Sequence, residues 1–359
     1  MASSLRDPRR RRGFPSRAVA PGDPCVSTGG GPLYFFNSLL VLSLTLCMAL
    51  PIAAQDGSEE PSSTEGALFL LLPVGAKAVS LGRAVTALDG PESAFWNPAG
   101  LAAVDESQVV LLRGDPLAGT STAFSALWAR PGVGTLGVSY QLLDIGTQEL
   151  RDIDGNELGS ISVRNHLGVV SAAAQLLEGV RLGVNFKIVQ FRRSCRGICS
   201  DAGTTATTYA FDAGLQILPT ERLRIGAMLA HIGPRLQVLN ADQSDPLPAR
   251  VRLAFAYNLI ALLTDDEELG GWLAVEVQDR LRELGSLSFY LGTELTAGVS
   301  EAIFLRAGYV LGNLDQEDGA RVGLGFRFGR FDLAIAKSLA VSTLTGETEP
   351  VHVTFSIRF

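Results

Sequence analysis

The last eleven residues, Glu349 to Phe359, constrain this chain more than any other stretch. Val351, Val353, Phe355, Ile357 and Phe359 fall on one side, and His352, Thr354, Ser356 and Arg358 on the other. A two-residue period belongs to an extended strand, because successive side chains point to opposite faces of a sheet. One face of this strand is therefore apolar and the other polar. The chain then stops on an aromatic residue, where an end in water ordinarily frays. Such an ending makes sense if the apolar face meets lipid and the strand closes a barrel, leaving no edge.

The same period recurs along the chain. Val180, Leu182, Val184, Phe186 and Ile188 alternate with Arg181, Gly183, Asn185 and Lys187; Val322, Leu324, Phe326 and Phe328 alternate with Arg321, Gly323, Gly325 and Arg327. Strands are expected near 107–113, 120–130, 134–150, 159–177, 180–191, 205–217, 221–232, 249–260, 271–280, 285–297, 301–312, 319–329, 331–340 and 349–359. A soluble sandwich shows the same pattern turned inside out. Export, the terminal Phe and many long strands with short turns select the membrane version. The expected fold is all-β: a transmembrane antiparallel barrel of about fourteen strands.

Export is read from Leu33 to Ala54, the one long apolar run, with arginines before it, small residues at its end and Asp56, Glu59 and Glu60 after it. This is the layout of a secretory signal peptide over residues 1–54, cut after Ala54; a single anchoring helix is the other reading. Residues 55–66 (QDGSEEPSSTEG) form a polar linker. No later stretch is apolar enough for a spanning helix, so the strands must do the crossing. Apolar residues are 47% of the chain and charged ones 19%, which excludes a disordered protein. The net charge is −7 and the basic run Arg9 to Arg12 sits in the leader, so no nucleic-acid partner is expected. Cys25 and Cys47 leave with the leader. Cys195 and Cys199 remain and, in an exported protein, can form a small-loop disulfide; two thiols without a nearby His are too few to hold a metal.

Catalytic chemistry finds no foothold. His166, His231 and His352 fall in no metal-binding spacing, and neither a G-x-S-x-G elbow nor a phosphate loop is present. No enzyme activity, metal or cofactor is expected, and His352 reads as a polar residue lining the lumen. Arg181, Arg224, Arg250, Arg252, Arg306, Arg321, Arg327 and Arg358 share the inner face with Glu276, Glu294 and Asp332. They are expected to pair with one another and fill the lumen; in an open pore they would set an anion preference. Gly183, Gly292, Gly308, Gly323 and Gly325 on that face suit close backbone packing. Asp154-Gly155-Asn156 marks a tight turn, and the run from Asp152 lacks the spacing and terminal Glu of a calcium loop. Longer connections at 192–204, 233–248 and 261–270 are expected together on the outer side, with Asp265 to Glu268 as a solvated tip.

Residues 75–102 (GAKAVSLGRAVTALDGPESAFWNPAGLA) are rich in small residues, with turns at Asp89-Gly90-Pro91 and Asn97-Pro98 and a large apolar anchor at Phe95-Trp96. Gly75, Ala76, Ala78, Gly82, Ala84, Ala87, Ser93, Ala94, Trp96, Asn97, Pro98, Ala99, Gly100 and Leu101 match an N-terminal motif, and in them the chain resembles the PorV/PorQ-like outer-membrane proteins. More distantly it is similar to the FadL-like transporters of long-chain fatty acids. Arg83 departs from the pattern, where a second glycine is usual, as does Pro91-Glu92 in a turn usually richer in Asp. The resemblance implies that 67–104 is a plug or hatch built on Gly75, Gly82, Phe95, Trp96, Asn97, Pro98 and Gly100, and that 105–359 is the barrel. It implies an outer-membrane location in a diderm bacterium, among outer-membrane lipid. The barrel-assembly machinery would read Phe355, Ile357 and Phe359 as its signal. The expected role is an accessory or docking component of a type IX-like secretion system, with secretion proteins as partners. The alternative is a FadL-like channel taking hydrophobic molecules through the barrel wall, with an apolar pocket near Phe95 and Trp96.

Overall fold

The computed structural model describes residues 65–116, 119–199, 203–238, 244–264, 266, 268–312, 318–339 and 351–359. The expected leader and residues 55–64 of the linker lie outside the described residues. The first strands are β1 (Gln108–Gly114), β2 (Thr120–Arg130), β3 (Gly134–Arg151), β4 (Glu157–Leu177), β5 (Val180–Gly197), β6 (Gly203–Thr220) and β7 (Leu223–Ile232). A two-stranded ribbon, β8 (Leu236–Gln237) with β9 (Ser244–Asp245), sits in the connection that follows. The chain continues with β10 (Arg250–Asn258), β11 (Leu269–Arg280), β12 (Ser288–Ala297), β13 (Glu301–Leu311), β14 (Gly319–Phe328), β15 (Phe331–Ser338) and β16 (Val351–Arg358).

All strands except β8 and β9 form one closed antiparallel barrel of fourteen strands. Each pairs with its neighbour in sequence, β7 pairs with β10, and β1 meets β16 with Val110 opposite Ser356. Each expected strand is present, and the faces fall as the period-two pattern requires. On β10, Leu253 and Phe255 are exposed while Arg250, Arg252, Ala254 and Ala256 are buried. On β5, Val184 and Ile188 point outward, and Asn185 and Lys187 inward. Phe255 is 55% exposed and Phe289 47%. A continuous apolar exterior of this kind is untenable in water, whereas a closed barrel satisfies its backbone internally within lipid. The chain is an outer-membrane β-barrel.

Alternating strand direction sorts the connections between two ends. At one end lie 131–133, 178–179, 221–222, 259–268, 298–300 and 329–330, with the start of β1 and the end of β16. At the other lie 115–119, 152–156, 198–202, 233–249, 281–287, 312–318 and 339–350. The second set is the longer, which makes it the extracellular end. Connection 261–270 therefore departs from expectation. It joins β10 to β11 at the periplasmic end, opposite 198–202 and 233–249, because one strand crossing separates it from 233–249; residues 192–197 and 203–204, also expected in a connection, belong to β5 and β6. Its polarity showed a loop, but only strand parity assigns its side. Asp265 and Glu267 of its acidic run lie outside the described residues.

The β3–β4 turn is organised by Asp152, whose Oδ1 accepts from the backbone N–H of Asp154 (3.0 Å) and Asn156 (2.7 Å) and whose Oδ2 accepts from the Asn156 amide (2.9 Å). These bonds, the Asn156 side chain's first, hold the carboxyl below its ordinary value of 3.8. A depressed folded-state pKa means that the contribution is fully present above the unfolded value and is lost as pH falls through the folded one. An NMR titration of the Asn156 amides should give a midpoint below 3.8, and a midpoint at or above that value contradicts this reading.

Candidate functional site

Residues 65–104 lie inside the wall. The short helix Ala76–Ser80 packs on β13 to β16, and the 3-10 helix Pro98–Ala103 packs on β3 to β6, across the ring. The segment is pinned first at Glu65, whose carboxylate takes two hydrogen bonds from Arg250 at 2.7 Å each. The Gly66 N–H donates to the Pro246 carbonyl (2.9 Å). Glu65 and Gly66, assigned by composition to the linker, are thus part of the anchored segment.

Each residue of the small-residue motif has a definite place. Gly75 has φ +96°, and Glu92 fills the space that a side chain there would need. Glu92 accepts from the N–H groups of Lys77 (3.2 Å) and Ala78 (3.0 Å), satisfying the otherwise orphaned start of the helix, and from Thr354 Oγ1 (2.7 Å) on β16. Gly82, at φ +58°, lies directly on wall backbone: a Cβ there would stand 2.7 Å from Tyr309 N and 2.9 Å from Leu291 O. Arg83 follows at φ +70°. The left-handed conformation costs a non-glycine residue about 1–2 kcal/mol, which explains physically why glycine suits this position.

Phe95 is half-buried where the apolar groups around Leu88, Leu167, Leu101 and Val110 meet. Trp96 donates from Nε1 to the Val74 carbonyl (2.9 Å), with the Arg252 guanidinium 4.9 Å from its ring centre. Asn97 donates to the carbonyls of Thr86 (2.7 Å) and Leu215 (3.3 Å) and accepts from Ala99 N (3.1 Å), capping a helix that begins with Pro98. A Cβ on Gly100 would meet Ser93 Oγ at 2.5 Å. Gly183, Gly292, Gly308 and Gly323 of the wall lie against Pro98, Leu81, Gly82 and Ser80 respectively, whereas Gly325 faces Phe304 and the tip of Arg306.

The inner charges pair, but less among themselves than expected. Arg306 holds Glu294 (2.5 Å), and Asp332 takes Arg327 (2.9 Å) and Arg358 (3.1 Å), all within the wall. Arg181 (2.9 Å) and Arg224 (2.7 Å) instead converge on Asp89 of the luminal segment, and Arg250 turns to Glu65. Glu276 accepts from the backbone and hydroxyl of Thr86 (2.9 and 2.8 Å), with Arg252 at 4.0 Å. His352 is buried on the inner face, beside Gly114. The ion pairs of the inner face are thus divided between the wall itself and the joint of wall to segment, and the second kind is a pattern that periodicity of the wall alone does not contain.

One group escaped sequence reasoning. Lys187 on β5 and Asp212 on β6 form a fully buried pair at 2.6 Å. Asn185 also donates to Asp212 (2.9 Å), and Lys187 Nζ lies 3.3 Å from His231 Nδ1. The β6–β7 register shifts here, His231 has φ +58°, and its N–H donates to Asp212 Oδ1 (2.9 Å) instead of to the ladder. Alternation marked Lys187 as inward-facing; its partner depends on register, which places Asp212 opposite Asn185 and diagonal to Lys187.

Spaces lie beside the segment, at the mouth and on the outer wall. Between Phe95, Trp96, Leu167, Lys187 and His231 a cavity of about 20 Å³ remains, room for about one water. A cavity of about 530 Å³ at the periplasmic mouth is lined by charges, among them Lys77, Arg306, Arg327, Asp332 and Arg358. An apolar groove of about 860 Å³ runs on the wall across β2 to β5, bounded by Trp128, Leu136, Ala172, Ala174, Leu182 and Val184. Elsewhere, Cys195 and Cys199 are joined by a disulfide. At the seam, Phe355 stacks on Phe331 with ring centres 6.1 Å apart, Ile357 faces outward, and the exposed Phe359 donates from its N–H to the Ser107 carbonyl (2.9 Å).

No protein-family model matches the chain, and no curated protein matches it. Among solved structures it is similar to the CymD monoaromatic hydrocarbon channel, at 11% identity and TM-score 0.55, covering 80% of this chain and 98% of that one. It is also similar to the toluene transporter TodX of Pseudomonas putida, at 12% identity and TM-score 0.51, covering 82% of this chain and 97% of that one. At such identities the likeness is one of fold alone, a closed outer-membrane β-barrel.

Proposed function

We propose that this barrel passes hydrophobic small molecules across the outer membrane, without converting them, and that residues 65–104 are its plug. The apolar groove on β2 to β5 carries this reading. It backs onto the luminal segment through the small residues Ala129, Ala173 and Gly183, where Leu101 and Val104 pack inside. The periplasmic mouth is lined by charges. An apolar solute leaving sideways at the groove keeps its surface out of water and away from those charges. The two fold neighbours, a monoaromatic hydrocarbon channel and a toluene transporter, point the same way.

The test fills the groove. Ala172→Trp with Ala174→Trp on the outer face should reduce toluene uptake by proteoliposomes several-fold, while the boiling-dependent gel shift of a closed barrel persists. Uptake no greater than that of protein-free liposomes sinks the reading.

A second reading, a docking component of a type IX-like secretion system, rests on the small-residue motif and on the scant space beside Phe95 and Trp96. It requires crosslinks from the connections 233–249 or 281–287 to a larger outer-membrane protein, and their absence together with toluene uptake dismisses it.

A further inference from the structure

Above the apolar belt of β3 to β6 the outward face changes character within two residues per strand. Ile188 and Tyr209 are exposed apolar and aromatic positions of the belt. The next outward level holds His166, Gln190 and Thr207, laterally paired, with the Tyr140 hydroxyl 2.7 Å from His166 Nδ1. One level further out, Asp144, Arg164, Arg192 and Thr205 stand side by side on four adjacent strands. Arg196 lies four residues beyond Arg192 on the same face, and Ser162 and Ser194, 2.8 Å apart through their hydroxyls, lie between. Arg164, Arg192 and Arg196 are all exposed.

The charges there do not balance. Asp144 neutralises Arg164 (2.9 Å). Arg192 and Arg196 have no carboxylate partner among the described residues. Arg164 and Arg192 are direct cross-strand partners on one face. Like charges placed so are destabilising unless an anion lies between them. The surface faces away from the lumen and meets no other element among the described residues. It stands at the extracellular rim, where the apolar exterior gives way to polar groups, which is the level of the outer-leaflet headgroups. Guanidinium forks interspersed with hydroxyls are the chemistry that binds phosphate.

We propose that Arg164, Arg192 and Arg196, with Ser162 and Ser194, dock an outer-leaflet lipid that carries phosphate on a saccharide headgroup. Its acyl chains lie along Ile188, Tyr209 and Val170, and its phosphate sits between the arginines. This site is separate from the groove and lumen of the proposed transport path, and it stands or falls independently of that function.

The experiment is native mass spectrometry of the full-length barrel in a non-ionic detergent, titrated with bis-phosphorylated lipid A, the same lipid dephosphorylated, and phosphatidylglycerol. The wild type should retain the phosphorylated glycolipid over both competitors. Arg192→Ala with Arg196→Ala should weaken that retention about 30-fold, from two surface cations, with the boiling-dependent gel shift unchanged as proof of fold. A second variant, Arg192→Lys with Arg196→Lys, should keep partial retention. Equal binding of the dephosphorylated lipid, equal binding of phosphatidylglycerol, or undiminished binding by the folded alanine variant each overturns the proposal.

Discussion

Asp212→Ala is expected to destabilise the barrel by about 3–5 kcal/mol, because it leaves a buried ammonium without its counter-charge. Lys187 and Asp212 are sealed from solvent, with Nζ and Oδ2 2.6 Å apart. The same carboxylate accepts from Asn185 and from the backbone of His231 at the register shift, so its loss strips three donors at once. The informative companion is the double variant Lys187→Met with Asp212→Leu. Replacing both members of a buried pair by packed apolar groups is often neutral, so the double variant should recover most of the loss. The temperature at which the compact gel species converts to the unfolded one measures both. Equal losses in the single and double variants would show that the site depends on the hydrogen bonds at the bulge and not on an uncompensated charge.

Gly308→Val should unseat the luminal segment while leaving the wall closed. A Cβ at Gly308 would run into the backbone of Leu81 and Gly82, which cannot turn aside as a side chain can. Overpacking costs about 1–3 kcal/mol or more, and here the less costly escape is for the segment to leave its bed. Planar-bilayer recordings should show a steady conductance in the variant well above that of the wild type, and limited proteolysis should cut within 65–104. Gly325→Val is the control. Its Cβ would come under 3 Å only to the tip of Arg306, at 2.7 Å, a flexible group that can swing away, and would lie 3.2 Å from Phe304, which need give only a few tenths of an ångström, so its conductance should stay at the wild-type level. Equal conductance in the two variants would contradict the seating described here.

The wall was legible because its code is local. Alternation on Val180 to Ile188 or Val351 to Phe359 needs no knowledge of any other strand, and membrane burial turns it into a face assignment. The contents of the lumen were legible only in outline. Small residues at Gly75, Gly82 and Gly100 announced a tightly packed segment, and wall glycines such as Gly308 announced a bed for it. What each polar group would meet was hidden, since Thr86 finds Glu276, and Ala76 finds Thr354, across a large part of the chain. Arg181 and Arg224 read as candidates for Glu276, Glu294 or Asp332 because those carboxylates share their face. They chose Asp89 because a carboxylate offered from the segment adds a third dimension that a flat pattern of strands lacks. The side of connection 261–270 depended on counting crossings, which composition does not do.

The luminal segment also ties the two ends of the wall together. It precedes every strand of the wall, yet the N–H of Ala76 is bonded to Thr354 on β16, 278 residues later. Contacts of such sequence separation are the slowest to form, because a long stretch of chain must be brought back upon itself first. That contact and the pairing of β1 with β16 bring the same two ends of the chain together, so each shortens the search for the other. The segment is then a clasp: continuous with β1 at its own end and bonded to β16, it holds the two strands of the seam to one another from inside.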